Sequence, residues 1–221
     1  MINRAEEEGR LQPGGTIYEG TAGNTGIALA LVGVSRGYKV KVVMPDKMSA
    51  GKISPLKALG AEVVLTRSDV GRGHPQYYQD LARALAQEDP NGFFINPFEN
   101  AANPPAHLET TGPEIWAQTE GNIDCFVAGI GSGGTVSGCG NYLREKNPDI
   151  ELVLADPVGS ILAPLINEGK NIEAGSWLVE GVGEDFVPDI AEISLLNDAI
   201  TVDDKESFLA ARELLRAEGI M

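Results

Sequence analysis

The stretch "GIGSGGTVSG", residues 129–138, follows the apolar run "DCFVAGI" and opens a helix-like segment. It holds a GxGxxG in Gly129, Gly131 and Gly134 and, overlapping it, the string GSGGT from Gly131 to Thr135. A strand that turns through glycines into a helix aims backbone N–H groups outward, and these can hold an anion. Two chemistries compete for such a turn. A dinucleotide reading draws on Asp156, at the end of the next strand-like run and about where a ribose-binding acid belongs. A single-phosphate reading has the N–H groups of Gly131 to Thr135 converge on one phosphate, with the Thr135 hydroxyl as a further donor. A third reading leaves only glycines that let a strand turn tightly.

Outward from this turn, strand-like and helix-like runs alternate. "TIYEG", "YKVKVVMPD", "AEVVLT", "GFFINPF", "DCFVAGI" and "IELVLADP" read as strands. "NTGIALALVGVSRG", "SAGKISPLKALG", "PQYYQDLARALAQED", "GPEIWAQTEG" and "TVSGCGNYLREKNP" read as helices. The alternation predicts an α/β protein with mostly parallel sheets flanked by helices. The Pro- and Asn-rich stretch "ENAANPPAHLETTGP" (Glu99 to Pro113) suggests a hinge, dividing the chain into lobes 1–98 and 99–221. Alternation lapses over residues 157–200, where "EGVGEDFVPD" reads as a loop. "DDKESFLAARELLRAEG" then reads as an amphipathic helix with an Asp N-cap and a glycine stop.

Composition narrows the function classes. The 221 residues are 43% apolar and carry a net charge of −15, which argues against nucleic acid and anionic membranes as partners. Any anion must then be held locally. The apolar run Gly26 to Val34 is too short to cross a bilayer, and the first ten residues read as acidic helix, not signal peptide. Cys125 and Cys139 lack metal-ligand spacing, so a reduced, cytoplasmic setting is expected. His74, His107 and Trp116 read as turn, loop and core residues.

A second turn, "EGTAGNTG" (Glu19 to Gly26), occupies the corresponding strand-to-helix junction of the first lobe. Its simplest reading is a capped helix start, with Asn24 or Thr25 as N-cap. Its other reading is a second anion site. An amino acid joined to pyridoxal phosphate carries two anions, a phosphate and an α-carboxylate, and so calls for two such turns. A dinucleotide needs one.

"TAGNTGIALA", "GYKVKVVMPDKMS", "LKALGAEVVLT", "NAANPPAH", "TTGPEIW", "GSGGTVSG", "DPVGSILA" and "VEGVGEDFVP" together resemble the cysteine synthase and cystathionine β-synthase family, fold-type II enzymes like the tryptophan synthase β-subunit. The resemblance runs along the whole chain in the family's order. It makes GSGGT the cofactor-phosphate loop, with Gly131, Ser132, Gly133, Gly134 and Thr135 on the phosphate and the embedded GxGxxG incidental. It assigns Asn24 to the ring oxygen of pyridoxal 5′-phosphate and Thr21, Ala22, Gly23 and Thr25 to the substrate carboxylate. Gly181 and Glu180 would line the cleft mouth.

The resemblance further implies small amino-acid substrates, a homodimer and β-replacement on a serine-type amino acid by a thiol or sulfide. Four departures bear on it. Pro97 stands where relatives carry a Gln, and Ala22 where many carry Ser. The lysine that binds the cofactor lies upstream of the segment matching "MINRAEEEGRLQPG", and the serine that pairs with the ring nitrogen lies past "AEGIM". The chain therefore reads as the middle of an enzyme, expected to be inactive by itself. A cofactor-free scaffold and an NAD-dependent oxidoreductase are the competing expectations.

Overall fold

The computed structural model describes residues 1–21 and 23–220. The chain divides into two compact units, Met1–Asn96 and Pro97–Met221.

In the first unit, β1 (Thr16–Gly20), β2 (Lys39–Pro45), β3 (Glu62–Thr66) and β4 (Gly92–Phe94) form one parallel sheet in the order β3-β2-β1-β4. Every residue of β1 is buried, as an interior strand covered on both faces requires. Helices α1 (Ile2–Glu7), α2 (Asn24–Ser35), α3 (Ala50–Ala58) and α4 (Tyr78–Glu88) supply the cover. Ile17, Val40, Val42, Met44, Leu29, Leu56 and Ile95 form the core. Two glycines set how closely helices approach. A Cβ on Gly33 would lie 2.7 Å from Val40 Cγ2, and one on Gly20 would lie 2.7 Å from the Gln79 Cα.

The chain leaves β1 toward β2 and β3, then returns to pair β4 on the other side of β1. In open parallel sheets, ligands bind beyond the carboxyl ends of strands at such a reversal. The turn after β1 begins there. "GFFINPF" shortens as a strand to Gly92–Phe94, and the chain soon turns at Asn96 (φ 48°), whose amide donates to the Glu19 carboxylate at 2.9 Å.

In the second unit, β5 (Cys125–Ala128), β6 (Glu151–Pro157) and β7 (Asp198–Val202) run parallel in that order. β7 lies in the region where alternation lapses in the sequence. Helix α7 (Gly134–Lys146) packs on β5, and its Cys139 and Leu143 cluster with Leu152 of β6. Ile130, Val136, Leu154 and Leu162 form a neighbouring cluster with α8 (Leu162–Glu168).

The stretch expected as a hinge is helical instead. α5 (Asn103–Ala106), a π-helical turn over His107–Thr111 and α6 (Gly112–Gln118) follow one another, and all three pack on α7 within this unit. Pro104 and Pro105 are tolerated because they sit at the first helical positions, where no N–H partner is needed. α9 (Asp204–Glu218) carries the expected cap as a full capping box between Asp203 and Glu206, and ends at Gly219 (φ 69°). Among the described residues no helix is long and apolar enough to cross a membrane.

Candidate functional site

The turn from β5 to α7 is fixed by what surrounds its glycines. A Cβ on Gly131 would lie 2.7 Å from the Gly181 carbonyl oxygen, and one on Gly133 would lie 2.8 Å from the Ala191 Cα. A Cβ on Gly134 would enter the carboxamide of Asn103. Gly133 also takes φ 85° as the N-cap of α7, a left-handed conformation open to glycine. A Gly133 side chain thus fails first against Ala191.

What the turn leaves without partners is a set of donors. Among the described residues, the amides of Gly133, Gly134, Thr135 and Val136 meet no acceptor, and the first bond of the turn is Ser137 N–H to the Gly133 carbonyl at 2.9 Å. No side chain caps α7. The Ser132 and Thr135 hydroxyls stand at the same turn. Unpaired amides, with two hydroxyls beside them, at the positive end of a 13-residue helix match the donor set that a phosphate dianion takes. The residues present therefore fit a phosphate-bearing cofactor.

Gly181, behind Gly131, belongs to a loop that is pinned in place. The Gly183 amide donates to Ile130 O at 2.8 Å, and the Trp177 indole N–H to Val182 O at 3.1 Å. Ser160, 2% exposed, accepts from the amides of Leu162 (3.3 Å) and Glu184 (3.1 Å) and donates to Glu184 O at 3.2 Å. Glu180, next to Gly181, is exposed. Sequence reading missed Ser160, because its partner Glu184 lies 24 residues away along the chain.

Asp156, the candidate ribose acid, is 1% exposed and accepts the Ala163 amide at 2.9 Å. Burial raises its pKa. A carboxylate so enclosed, committed to the start of α8, cannot receive a ribose hydroxyl, and the dinucleotide reading of the turn falls with it.

In the first unit the structure gathers Thr21, Gly23, Asn24 and Thr25 in the turn between β1 and α2; Ala22 lies outside the described residues. The Thr21 amide donates to Val43 O at 3.1 Å, and the Thr21 hydroxyl oxygen accepts the Gly23 amide at 3.2 Å. The N-cap is Gly23, so Asn24 and Thr25, expected as caps, are instead the first helical residues, and no side chain caps α2. A Cβ on Gly23 would meet no described atom within 4 Å. Just before the turn, Glu19 is 1% exposed, and burial pushes its pKa to about 8.

Two further residues stand behind the Gly131–Thr135 turn: Asn103, left unassigned in the sequence, and His107, expected in a loop but placed in the π-helical turn His107–Thr111. Asn103, 8% exposed, donates from Nδ2 to Pro97 O at 2.9 Å and to Ser132 Oγ at 3.0 Å. His107 has Nδ1 3.0 Å from Thr111 Oγ1 and Nε2 3.4 Å from Thr135 Oγ1, and burial lowers its pKa. Their spacing of four in "NPPAH" is the one sequence signal that could have linked them.

Parallel sheets flanked by helices, with a glycine turn of unpaired amides at a helix start, define an α/β protein. The sequence model of the family described as pyridoxal-phosphate dependent enzyme matches residues 1–221, and the chain belongs to that family. Pyridoxal phosphate is the family's cofactor. The chain is 45% identical over 221 residues to cystathionine beta-synthase of Apis mellifera, covering all of this chain and 44% of that protein. It is 43% identical over 225 residues to cysteine synthase 1 of Neurospora crassa, covering 60% of it. The crystal structure of O-ureido-L-serine synthase superposes with a TM-score of 0.89 at 34% identity, over all of this chain and 67% of that one. The chain thus spans under half the length of the cystathionine beta-synthases it matches.

Proposed function

We propose that this chain carries the phosphate-binding turn and the substrate-carboxylate turn of a pyridoxal phosphate enzyme that runs β-replacement on serine or a serine ester. The observation that carries the reading is the α7 turn, with four unpaired amides and two hydroxyls and no capping side chain. Gly131, Ser132, Gly133, Gly134 and Thr135 hold the phosphate through N–H and O–H donors, with Gly181 supporting Gly131 from behind. Asn24 donates to the ring oxygen, while Thr21, Ala22, Gly23 and Thr25 hold the substrate carboxylate. When bound, the cofactor supplies an electron sink for charge developing at the substrate α-carbon. The protein's part is orientation, since fixing both anions sets the angle at which the α C–H bond is presented.

We infer that no lysine of this chain holds the cofactor covalently. Lys41 pairs with Glu62 at 3.3 Å, and Lys146 lies in the last turn of α7, about 18 Å along the helix from its first. The chain alone is therefore proposed to be catalytically inactive. Cystathionine is preferred to cysteine as product, because Glu180 could meet the ammonium of a second amino acid such as homocysteine, and sulfide has none. In an enzyme completed to the length of its relatives, Glu180→Gln should lower homocysteine turnover about tenfold and leave sulfide turnover little changed. Equal losses would remove that preference.

The test of the central reading is retention of pyridoxal 5′-phosphate against unphosphorylated pyridoxal through dialysis. The phosphorylated form should be retained, and Ser132→Ala with Thr135→Val should abolish the difference. Equal retention of both forms by the parent chain would overturn the reading.

A further inference from the structure

The two hydroxyls of the α7 turn are each approached from behind by one side chain of the same helical stretch. Asn103 and His107 are four residues apart and so share a helix face. Asn103 reaches Ser132 Oγ and His107 reaches Thr135 Oγ1. A hydroxyl has one proton to give, so its usefulness to an anion depends on whether that proton is already committed to the protein.

For Ser132 the direction is decided by a third group. The Asn103 carboxamide must face Pro97 O with its nitrogen, because a carbonyl oxygen can only accept. The same nitrogen faces Ser132 Oγ, so its second proton goes there and Ser132 accepts. The Ser132 proton is thereby released to point away, toward the turn. Pro97 lacks the side-chain donor that a Gln would bring, yet its carbonyl sets this polarity.

For Thr135 the same outcome follows from one tautomer of His107. If Nδ1 accepts from the Thr111 hydroxyl, Nε2 carries the proton and donates to Thr135 Oγ1, leaving the threonine proton to an anion. The other tautomer would draw that proton into the protein. An anion at the turn favours the first.

We propose that Asn103 and His107 are positioning residues that turn the Ser132 and Thr135 hydroxyls into obligate donors toward the anion held at the start of α7. The proposal rests on the phosphate reading of this turn, and it concerns how the donors are oriented.

Isothermal titration calorimetry of the full chain with inorganic phosphate tests it. Asn103→Asp keeps the shape but replaces the donor with an acceptor, so the Ser132 proton must turn back to the new carboxylate; affinity should fall at least about tenfold. In a double-mutant cycle, Asn103→Ala should weaken binding about fivefold to tenfold in the parent and have almost no effect once Ser132→Ala is present. A purely structural role would give additive losses, which would overturn the proposal, as would unchanged affinity in Asn103→Asp. Circular dichroism confirms that each variant folds. If the Asn103 variants do not, the cycle of His107→Phe with Thr135→Val asks the same question. A parent chain that binds no phosphate overturns the phosphate reading itself. A parent that binds, with Asn103→Asp unaffected, overturns only the assignment of Asn103 and His107.

Discussion

The two glycine-rich turns begin alike, each taking a parallel strand into a helix, and differ in what stands behind them. In the Gly131–Thr135 turn, glycines back onto Gly181, Ala191 and Asn103, and both hydroxyls have partners inside the unit. In the Thr21–Thr25 turn, Gly23 faces open space among the described residues, and one side-chain bond, from the Gly23 amide to the Thr21 hydroxyl, braces the entry to α2. Both helix starts lack a side-chain cap. Preorganised donors suit a ligand kept through many turnovers, while a lightly braced turn can close on one that comes and goes. That division matches the proposed roles of cofactor phosphate and substrate carboxylate.

The buried carboxylates beside the sheets differ in the same way. Asp156 accepts an amide of its own unit's next helix, and Ser160 beside it ties the 180–184 loop to the end of β6. Glu19, directly before the looser turn, accepts the backbone amides of Gly20 and Asn96.

If the contrast is real, substitutions in the braced turn should cost far more than those in the open one. Gly133→Val should be the most damaging, by about 5 kcal/mol, since it adds a β-branched side chain at φ 85° that collides with Ala191. Urea denaturation followed by circular dichroism measures it. A cost under about 1 kcal/mol would show that the turn is not braced by that packing.

Glu19 gives a pH signature. Its pKa in the folded chain is about 8 against an ordinary 4.5, so the folded state holds the proton more tightly than the unfolded one. The stability tied to that proton is full below about pH 4.5 and is lost as pH rises through 8, on the order of 5 kcal/mol in all. Glu19→Gln should flatten the profile and make the chain more stable than the parent at pH 8. Denaturant midpoints across this range check it, and a parent profile with no decline would refute the buried, protonated carboxyl.

Ser160→Ala should cost about 2 kcal/mol, since it strips a buried hydroxyl from the Leu162 and Glu184 amides. It should also speed hydrogen exchange in the 180–184 loop while leaving residues 21–25 unchanged. Equal effects on both segments would erase the distinction between the turns. The smallest effect belongs to Gly23→Ser, where a side chain meets open space and can add the missing cap. Stability should change by no more than about 0.5 kcal/mol, and in the favourable direction.

The sequence by itself determined the alternation of strands and helices, the position of both glycine turns, the Asp203 cap of α9 and the family, because each is written in local patterns or contiguous motifs. Periodicity, glycine before a helix and a cap three residues from its partner are all readable over one or two turns of chain. It misread "ENAANPPAHLETTGP" as a hinge, since prolines signal a break unless they sit at a helix start, and only the packing of α5 and α6 on α7 reveals that they do. It offered Asp156 to a ribose, because nothing in "LADP" says that the side chain is enclosed beneath α8. Asn103, which meets Ser132, and Glu184, which meets Ser160, lie 29 and 24 residues away from them. A hydroxyl's direction depends on which groups the fold brings within 3 Å or so of it, and such neighbours leave no trace in the local sequence; tertiary structure alone decided them.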